Sequence, residues 1–194
     1  QGKIRFRGMS GHGSRLVECL DYAIDQGLVD VILCAHNFAQ DPDLYARLRH
    51  TFHYVDLQPG LPRVLEKAKS KDIGVVAMKT LMGGRINDLR PYERPGGSFA
   101  QAALAWVLSG GRVDAALISM TDRSRIDEYV SASGRAAIDD HDMDLLFRYA
   151  ARQGTRYCRP GCDACAESCP ESVEIAEVLR SRMYAVDYGD ARLG

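Results

Sequence analysis

Apolar residues along the chain fall into short continuous runs that alternate with longer stretches of helical spacing. Alternation of apolar residues predicts a strand at residues 4–9, and continuous apolar runs predict strands at 29–34, 73–78 and 113–119. Apolar positions three and four residues apart predict helices between them, including one that ends at Gly27, one at 62–69 and one at 99–108 capped by Ser98. The uninterrupted run 29–34 is typical of a strand buried on both faces.

Two further helices are predicted, one starting at residue 121 or 122 and one at residue 139 or 140. Four strand–helix units in a row predict parallel strands with helical crossovers. A doubly wound sheet and a (β/α)8 barrel both have this pattern. The spacing of Gly8, Gly11 and Gly13 does not make the G-x-G-x-x-G fingerprint of doubly wound dinucleotide-binding folds, so the barrel is favoured.

Composition and charge indicate an ordinary globular protein. Apolar residues make up 46% of the 194 residues, and 25 Lys and Arg nearly balance 26 Asp and Glu, for a net charge of −1. Phosphate-binding surfaces of nucleic-acid proteins need a basic excess, so we expect no nucleic-acid partner. No apolar run approaches the roughly 18 residues that a membrane span needs.

The chain enters its first predicted strand within four residues of Gln1, and no signal peptide precedes it. Four barrel units alone would leave two unpaired strand edges. We therefore expect that this chain is a fragment and that an upstream half, with any targeting signal, is missing. The crowding of four of the six cysteines into twelve residues suggests metal binding in a reducing, cytoplasmic compartment.

These four cysteines form the sharpest motif of the chain. Cys158, Cys162, Cys165 and Cys169 follow the spacing C-x3-C-x2-C-x3-C and precede Pro170. Bacterial ferredoxins hold iron–sulfur clusters with C-x2-C-x2-C-x3-C-P, one residue shorter in the first spacer. Several thiolates must converge on one cuboidal cluster, and short spacers with Gly161 permit such a tight wrap. The motif predicts a [4Fe–4S] cluster.

Two alternatives to this ligand set remain open. Either all four cysteines hold one cluster, or three do so with a distant ligand, for which Cys34 and Cys19 are candidates. Both of these lie in predicted elements and are expected to be core residues. A structural zinc site is the other alternative, although only two residues separate the two cysteine pairs, which crowds a tetrahedral site.

Several segments of the chain together resemble the aldo-keto reductases. Residues 2–10 (GKIRFRGMS) resemble the fifth strand of that family, residues 75–84 (VVAMKTLMGG) its seventh strand and loop, and residues 101–108 (QAALAWVL) the helix before its eighth strand. Residues 157–188 resemble the cysteine-rich tail of the iron–sulfur branch. The resemblance covers essentially the whole chain.

The resemblance implies the C-terminal half, strands five to eight, of a TIM barrel that reduces carbonyl compounds with NADPH. The family's catalytic Asp, Tyr, Lys and His lie on its first four strands, so none is carried over to this chain, which alone should be inactive. Four residues match coenzyme-binding positions. Ser10 matches a serine that binds the nicotinamide carboxamide, Met78 the aromatic that stacks on the ring, and Arg125 the arginine that contacts the adenosine phosphate, while Ser119 falls where a phosphate-binding lysine is frequent.

Two coenzyme-binding positions of the family are changed. Gly11 replaces an asparagine beside Ser10, and Leu33 replaces the glutamine of the sixth strand. The exposed loop residue His12 and Lys79, at the end of a predicted strand, carry no assigned role; a Schiff-base role for Lys79 is one alternative to that of a surface lysine.

The sequence thus predicts two parts, a half-barrel over 1–153 and an iron–sulfur tail over 154–194. An amphipathic helix after Pro170 is expected to pack the tail on the barrel. The predicted function is that of an NAD(P)H-dependent oxidoreductase acting on a small carbonyl compound, with a possible redox partner for the cluster. The alternative is a non-catalytic metal-binding or electron-transfer module on a barrel scaffold.

Overall fold

The computed structural model describes residues 2–12, 15–48, 58–82, 89–93, 95–120, 122–134, 137–153, 165, 167–187 and 189–192. Four parallel strands form one sheet within these residues: β1 Gly8–Gly11, β2 Val31–Ala35, β3 Gly74–Met78 and β4 Ala115–Ala116. Their order in the sheet, β1-β2-β3-β4, is their order in the chain. The protein is therefore a mixed α/β fold with a parallel sheet, as the strand–helix alternation predicted.

Seven α-helices are described: α1 Leu16–Asp25, α2 Pro42–Leu48, α3 Leu61–Ser70, α4 Phe99–Ser109, α5 Ile126–Val130, α6 Asp140–Gln153 and α7 Ile175–Arg182. The predicted cap of α4 is confirmed, because the Ser98 hydroxyl accepts from the backbone N–H of Gln101 and the Gln101 side chain accepts from the N–H of Ser98. The starts of α3 and α6 also agree with the prediction.

The strand ends differ from the predicted ones. Pairing of β1 begins at Gly8, whereas the alternation had predicted a strand from residue 4. Ile4 and Phe6 are 72% and 66% exposed, so their apolar side chains do not mark a buried strand. At the other edge β4 keeps only two paired residues. A strand exists where a neighbour supplies hydrogen bonds, and apolar alternation alone does not show how far that neighbour extends.

The segment that follows β2 contains a helix that the sequence pattern did not predict. A 3-10 turn Phe38–Gln40 leads into α2, in the region between residues 37 and 60 where no helix was predicted. The Asp41 carboxylate accepts from the backbone N–H groups of Asp43 and Leu44, each at 3.0 Å, and so caps α2. Aspartate followed by proline was the signal that could have revealed this start.

One face of the sheet is covered by α1, α3 and α4. Alternate strand residues on this face, including Ile32, Cys34 and Val75, are completely buried. They pack against apolar side chains of the three helices, listed here as Leu20, Ile24, Leu61, Val64, Leu65, Ala68 and Val107. The covering helices thus lie on the same side of the sheet.

The opposite face of the sheet is only partly covered. Leu33, Val76 and Met78 are half-buried, and Val31 is exposed. The expectation that the run 29–34 is buried on both faces is therefore wrong for one of them. We refer to this side, lined by Ser10, Leu33, Ala35, Val76 and Met78, as the open face.

A second apolar cluster lies between α4 and α6. Aromatic rings form its centre, with Phe99 and Tyr149 at 4.3 Å between ring centroids and Phe38 edge-on to both. The Tyr149 hydroxyl donates to the carbonyl of Met82 at 3.3 Å, which satisfies the polar end of a fully buried side chain. This contact holds the segment after β3 against α6.

The predicted tail helix is present as α7, followed by the π-helical turn Met183–Asp187. Val178, Leu179 and Val186 are exposed on it, which differs from the expectation that its apolar residues pack on the barrel. The proposed boundary at residue 154 lies outside the described residues.

Candidate functional site

The carboxyl ends of β2 and β3 are joined by a buried asparagine. The Asn37 side chain donates to the carbonyl of Lys79 at 3.1 Å and accepts from the N–H of Ala39 at 3.1 Å. Lys79 itself has a φ of 57°, a left-handed conformation that costs a non-glycine residue free energy. Its side chain is exposed, as expected for a surface lysine. Asn37 therefore fixes a strained strand end at the edge where ligands of parallel sheets bind.

Two of the predicted coenzyme residues come to the same face of the sheet. The register pairs Ser10 with Leu33 and Leu33 with Val76, while Met78 lies two residues further along β3 on the same face. Ser10 is exposed and Met78 is half-buried. The open face thus presents one hydroxyl and one thioether near the carboxyl ends of the strands, with apolar Leu33 beside the hydroxyl.

Gly11 lies close to a buried side chain of α1. A Cβ atom at Gly11 would lie 3.1 Å from Cδ1 of Leu16, closer than ordinary van der Waals contact. Leu16 is a buried residue of the covered face, so it has little room to move. A larger residue, such as the asparagine that the family resemblance would place here, would displace the end of the Leu16 side chain by a few tenths of an ångström. His12, the next residue, is exposed, as expected.

Arg125 lies at an open cavity of about 460 Å³ between the start of α4 and the start of α5. Polar and charged side chains form most of its lining, including Glu93, Ser98, Gln101, Asp122, Arg125 and Glu128. We call this space the Arg125 cavity. Ser119, the other predicted phosphate contact, is exposed on the segment after β4 and is not part of the cavity lining.

Local capping positions Arg125. The Asp122 carboxylate accepts from the N–H of Ser124 at 2.9 Å and starts a 3-10 turn, Arg123–Arg125, that continues into α5. This confirms Asp122 as one of the two predicted starts of the helix. One Arg125 guanidinium nitrogen lies 3.4 Å from Oε2 of Glu128, and Oε1 of Glu128 accepts from the Ser98 hydroxyl at 2.5 Å. Ser98 thus joins the cap of α4 to the carboxylate of α5.

Glu128, Glu93 and Asp122 were not among the predicted site residues. Glu128 follows Arg125 by three residues, so the helical i, i+3 spacing was an available signal for this ion pair. Glu93 comes from a distant segment, and no local pattern places it at the same cavity.

Sequence reasoning also missed a buried histidine at the end of β2. His36 is 5% exposed, and its ring lies 5.1 Å from the ring of Trp106 on α4. Its Nδ1 has no hydrogen-bond partner among the described residues. Burial, assisted by the nearby charge of Arg112, lowers the pKa of His36 to about 4. The ring is therefore neutral near pH 7 and acts as a packing group of the covered face.

Cys34 and Cys19, which lie outside the cysteine cluster, were both expected to be core residues, and this is correct for one of them. Cys34 is a core residue with no exposed surface, and burial raises the pKa of its thiol to about 11. Cys19 was also expected to be a core residue, which is wrong, because it lies on the exposed side of α1. The side chain of Cys34 is enclosed in the core of the covered face, so Cys34 is a poor candidate for a distant cluster ligand.

Two of the four clustered cysteines, Cys158 and Cys162, lie outside the described residues. Cys165 and Cys169 are half-buried free thiols. Each starts a turn, because the Cys165 carbonyl accepts from the N–H of Ser168 and the Cys169 carbonyl accepts from the N–H of Ser172, both at 3.0 Å. Within the described ranges no three His, Cys, Asp or Glu residues are grouped to hold a metal ion. The iron–sulfur prediction therefore stays a prediction.

None of the described helices combines the length and the apolar character that a membrane span requires. Comparison of the chain with models of protein families gives no match, and comparison with curated proteins gives none either.

Proposed function

We propose that this chain forms the coenzyme-holding half, strands five to eight, of an aldo-keto-reductase-like (β/α)8 barrel with an iron–sulfur tail. In the complete protein, NAD(P)H transfers a hydride from its nicotinamide ring to the carbonyl carbon of a small substrate. The oxygen takes a proton, so the carbonyl is reduced to an alcohol while the coenzyme is oxidised. The proposal extends to a cytoplasmic location and to a redox partner for the cluster.

The sheet topology supports a barrel. In a doubly wound sheet the strand order reverses, and helices cover both faces. Here the strands follow chain order, and α1, α3 and α4 pack on one face only. A (β/α)8 barrel has this arrangement, with helices outside and the other face turned to the barrel interior. The apolar open face corresponds to that interior.

The positions of Ser10 and Met78 support a nicotinamide site. Barrel active sites lie at the carboxyl ends of the strands, and both residues lie near that end on the open face. Ser10 offers a hydroxyl for the carboxamide, and Met78 offers a polarizable surface for the ring. Arg125, at its own cavity, would serve the adenosine end.

The observation that carries the proposal is the cysteine quartet, with Cys165 and Cys169 at the starts of successive turns. Cys158, Cys162, Cys165 and Cys169 would hold a [4Fe–4S] cluster, which supplies one-electron transfer or braces the tail. Soft thiolate donors suit iron–sulfur chemistry better than the oxygen ligands of Mg²⁺ or Ca²⁺.

The alternative, a non-catalytic metal-binding or electron-transfer module, is favoured by Leu33. Its side chain is apolar and lies next to Ser10 in the register, where the resemblance would place a hydrogen-bonding glutamine. A nicotinamide held there would lose that partner, and Gly11 removes a second one. Coenzyme binding without turnover of the complete protein would support this alternative.

The test is anaerobic purification of the full 194-residue chain with analysis of iron and acid-labile sulfide. We expect a brown protein with about four irons and four sulfides per chain. The variant Cys165→Ser should lose most of both, because each thiolate is a ligand. Cys19→Ser, which changes an exposed cysteine on α1, is the matched control and should retain both.

Stoichiometric zinc without sulfide would refute the iron–sulfur proposal and favour the structural zinc site. Free thiols with neither metal would refute both. Circular dichroism of each variant separates cluster loss from unfolding of the α/β part.

A further inference from the structure

Apolar side chains extend across the open face of the sheet to both of its sides. Val31 on β2 is 37% exposed, and Leu117, immediately after β4, is 56% exposed. Val31 lies two residues before Leu33, so both side chains point to this face. Leu117 lies two residues after Ala115, which is the register partner of Val76. A single copy of the chain therefore leaves a continuous apolar surface in water, and such surfaces mark interaction sites.

Both edges of the sheet are also open within the described residues. In the strand order, β1 has only β2 as a neighbour and β4 has only β3. The Arg7 carbonyl accepts from the N–H of Val31, and in a parallel ladder every second residue bonds to the same neighbour. Gly8 and Ser10 therefore turn their backbone N–H and C=O groups away from β2. Edge groups of this kind are templates for a further strand.

The two edges and the open face together suit a second copy of this chain. All four strands are parallel, so a twofold axis along the strand direction preserves the direction of every strand. It places β1 of each copy beside β4 of the other, and one isologous contact then satisfies both edges. Two copies supply eight strands, the number at which side chains just fill the interior of a closed barrel.

Charge at the two edges is complementary. Residues 2–12 include Lys3, Arg5 and Arg7 and no acidic residue. Lys3 and Arg5 are exposed and pair with no carboxylate in the part of the chain that the structure describes. Asp114 lies at the same, amino-terminal end of β4, and its carboxylate remains 45% exposed beside its partner Lys69. The basic start of β1 would thus meet an acidic start of β4 in the other copy.

We propose that two copies of this chain pack open face to open face, with β1 of each paired to β4 of the other, and close an eight-stranded parallel barrel. This inference goes beyond the proposed function and uses only the sheet and its edges. In the complete protein proposed above, the family's first four strands would take the place of the second copy.

The test is sedimentation velocity of the full 194-residue chain over a range of concentrations, without oxygen and with a reductant, so that the exposed Cys19 forms no cross-link. We expect a dimer that dissociates on dilution. Val31→Lys and Leu117→Lys should each weaken it at least about tenfold, because each buries an unpaired charge in the apolar contact. Both side chains are exposed in a single copy, so each variant should fold, which circular dichroism checks.

Val178→Lys is the matched control. It makes the same change at a valine of α7 that is 55% exposed, and it should leave the dimer unchanged. This control separates closure of the barrel from association through the tail helix. Hydrogen exchange adds a test of the edges, because the backbone N–H groups of Gly8 and Ser10 should exchange more slowly in the dimer than in the diluted chain.

A monomer at every concentration would overturn the inference, and so would a dimer that tolerates Val31→Lys and Leu117→Lys or that Val178→Lys disrupts. Larger, open-ended assemblies would contradict the twofold closure, and unchanged exchange on β1 would contradict the pairing of edges. Where dilution separates the copies, the open face is uncovered again, and substitutions on it should cost little stability. Iron and sulfide content is measured independently, so absence of the dimer and failure of the iron–sulfur proposal are distinguishable.

Discussion

The two faces of the sheet consist of alternate residues of the same strands, yet their surroundings differ. Ile32, on the covered face, has no exposed surface and belongs to the core cluster beneath the covering helices. Its neighbour Leu33 points to the open face and is half-buried. Both are large aliphatic residues, and a hydrophobicity pattern does not distinguish them. The comparison shows that burial in this protein depends on which elements cover a face, and much less on the hydrophobicity of the strand.

The largest expected effect comes from truncating the side chains of Ile32 and Leu33, which tests this comparison directly. Ile32→Ala should lower the free energy of unfolding by about 2–5 kcal/mol, because it leaves a cavity in the core beneath the covering helices. Leu33→Ala should cost less than about 1 kcal/mol, because its side chain loses little buried area. Urea unfolding of each variant measures the difference.

Equal costs for the two variants would contradict the assignment of the faces. A cost for Leu33→Ala that grows with protein concentration would show instead that another molecule covers the open face.

His36 provides the next largest effect. In the folded protein its pKa is about 4, below the ordinary value of 6.5, so protonation favours the unfolded chain. Stability should therefore fall as the pH is lowered from 6.5 towards 4, by about 2 kcal/mol between pH 7.5 and pH 5. His36→Phe, which keeps a ring beside Trp106, should remove this part of the pH dependence.

Urea unfolding at the two pH values measures this loss, with His12→Gln as the control. His12 is exposed, and its replacement should leave the pH dependence unchanged. A full pH dependence in His36→Phe would show that other groups cause it.

The cap of α4 gives a smaller effect on a helix that covers the sheet. Ser98→Ala should destabilise the protein by about 1 kcal/mol, because the first turn of α4 loses an acceptor and Glu128 loses a donor. Ser98→Thr keeps the hydroxyl and should restore most of the loss. The thermal midpoint measures both variants, and an unchanged midpoint in Ser98→Ala would mean that packing alone fixes the start of α4.

The smallest effect is expected at the ion pairs that connect the covering helices α1 and α3. Hydrogen bonds from Arg63, and then from Lys67, lower the pKa of Asp21 to about 2. Its contribution is fully present above the ordinary pKa of 3.8 and is lost as the pH falls towards 2. Because Arg63 is exposed and Asp21 and Lys67 still face solvent in part, Asp21→Asn should change the midpoint only slightly at neutral pH, and less at high salt.

Thermal unfolding at low and high salt checks this, with Asp144→Asn as the control. Asp144 pairs with Arg148 within α6 and connects no two helices. A large, salt-independent effect of Asp21→Asn would show that these ion pairs hold the covering layer in place.

Local signals allowed α4 to be predicted almost residue by residue, because Ser98 and Gln101 cap it through contacts three residues apart. The end of α1 was equally local, since Gly27 has a φ of 59°. The start of β1 could not be predicted in this way. It depends on where β2 offers partners, which is a property of a strand more than twenty residues away.

The residues of the candidate site also divide into some that the sequence predicted and others that it could not predict. Arg125 was predicted through the family resemblance, and Asp122 through helix capping. Glu93 and Ser98 reach the same cavity from another part of the chain, so the sequence could not show that they line it together with Arg125. His36 was missed because nothing in a strand-ending histidine shows that Trp106 will cover it.

The agreement between strand order and chain order has a kinetic consequence. Each strand pairs with the one that precedes it, so Met9 meets Ile32 and Ile32 meets Val75 without waiting for a distant segment. The entropy lost in closing such loops grows only slowly with their length. A chain emerging from the ribosome can therefore add one strand and one helix at a time to a growing edge. Assembly in the order of synthesis leaves each newly added edge as the template for the next unit.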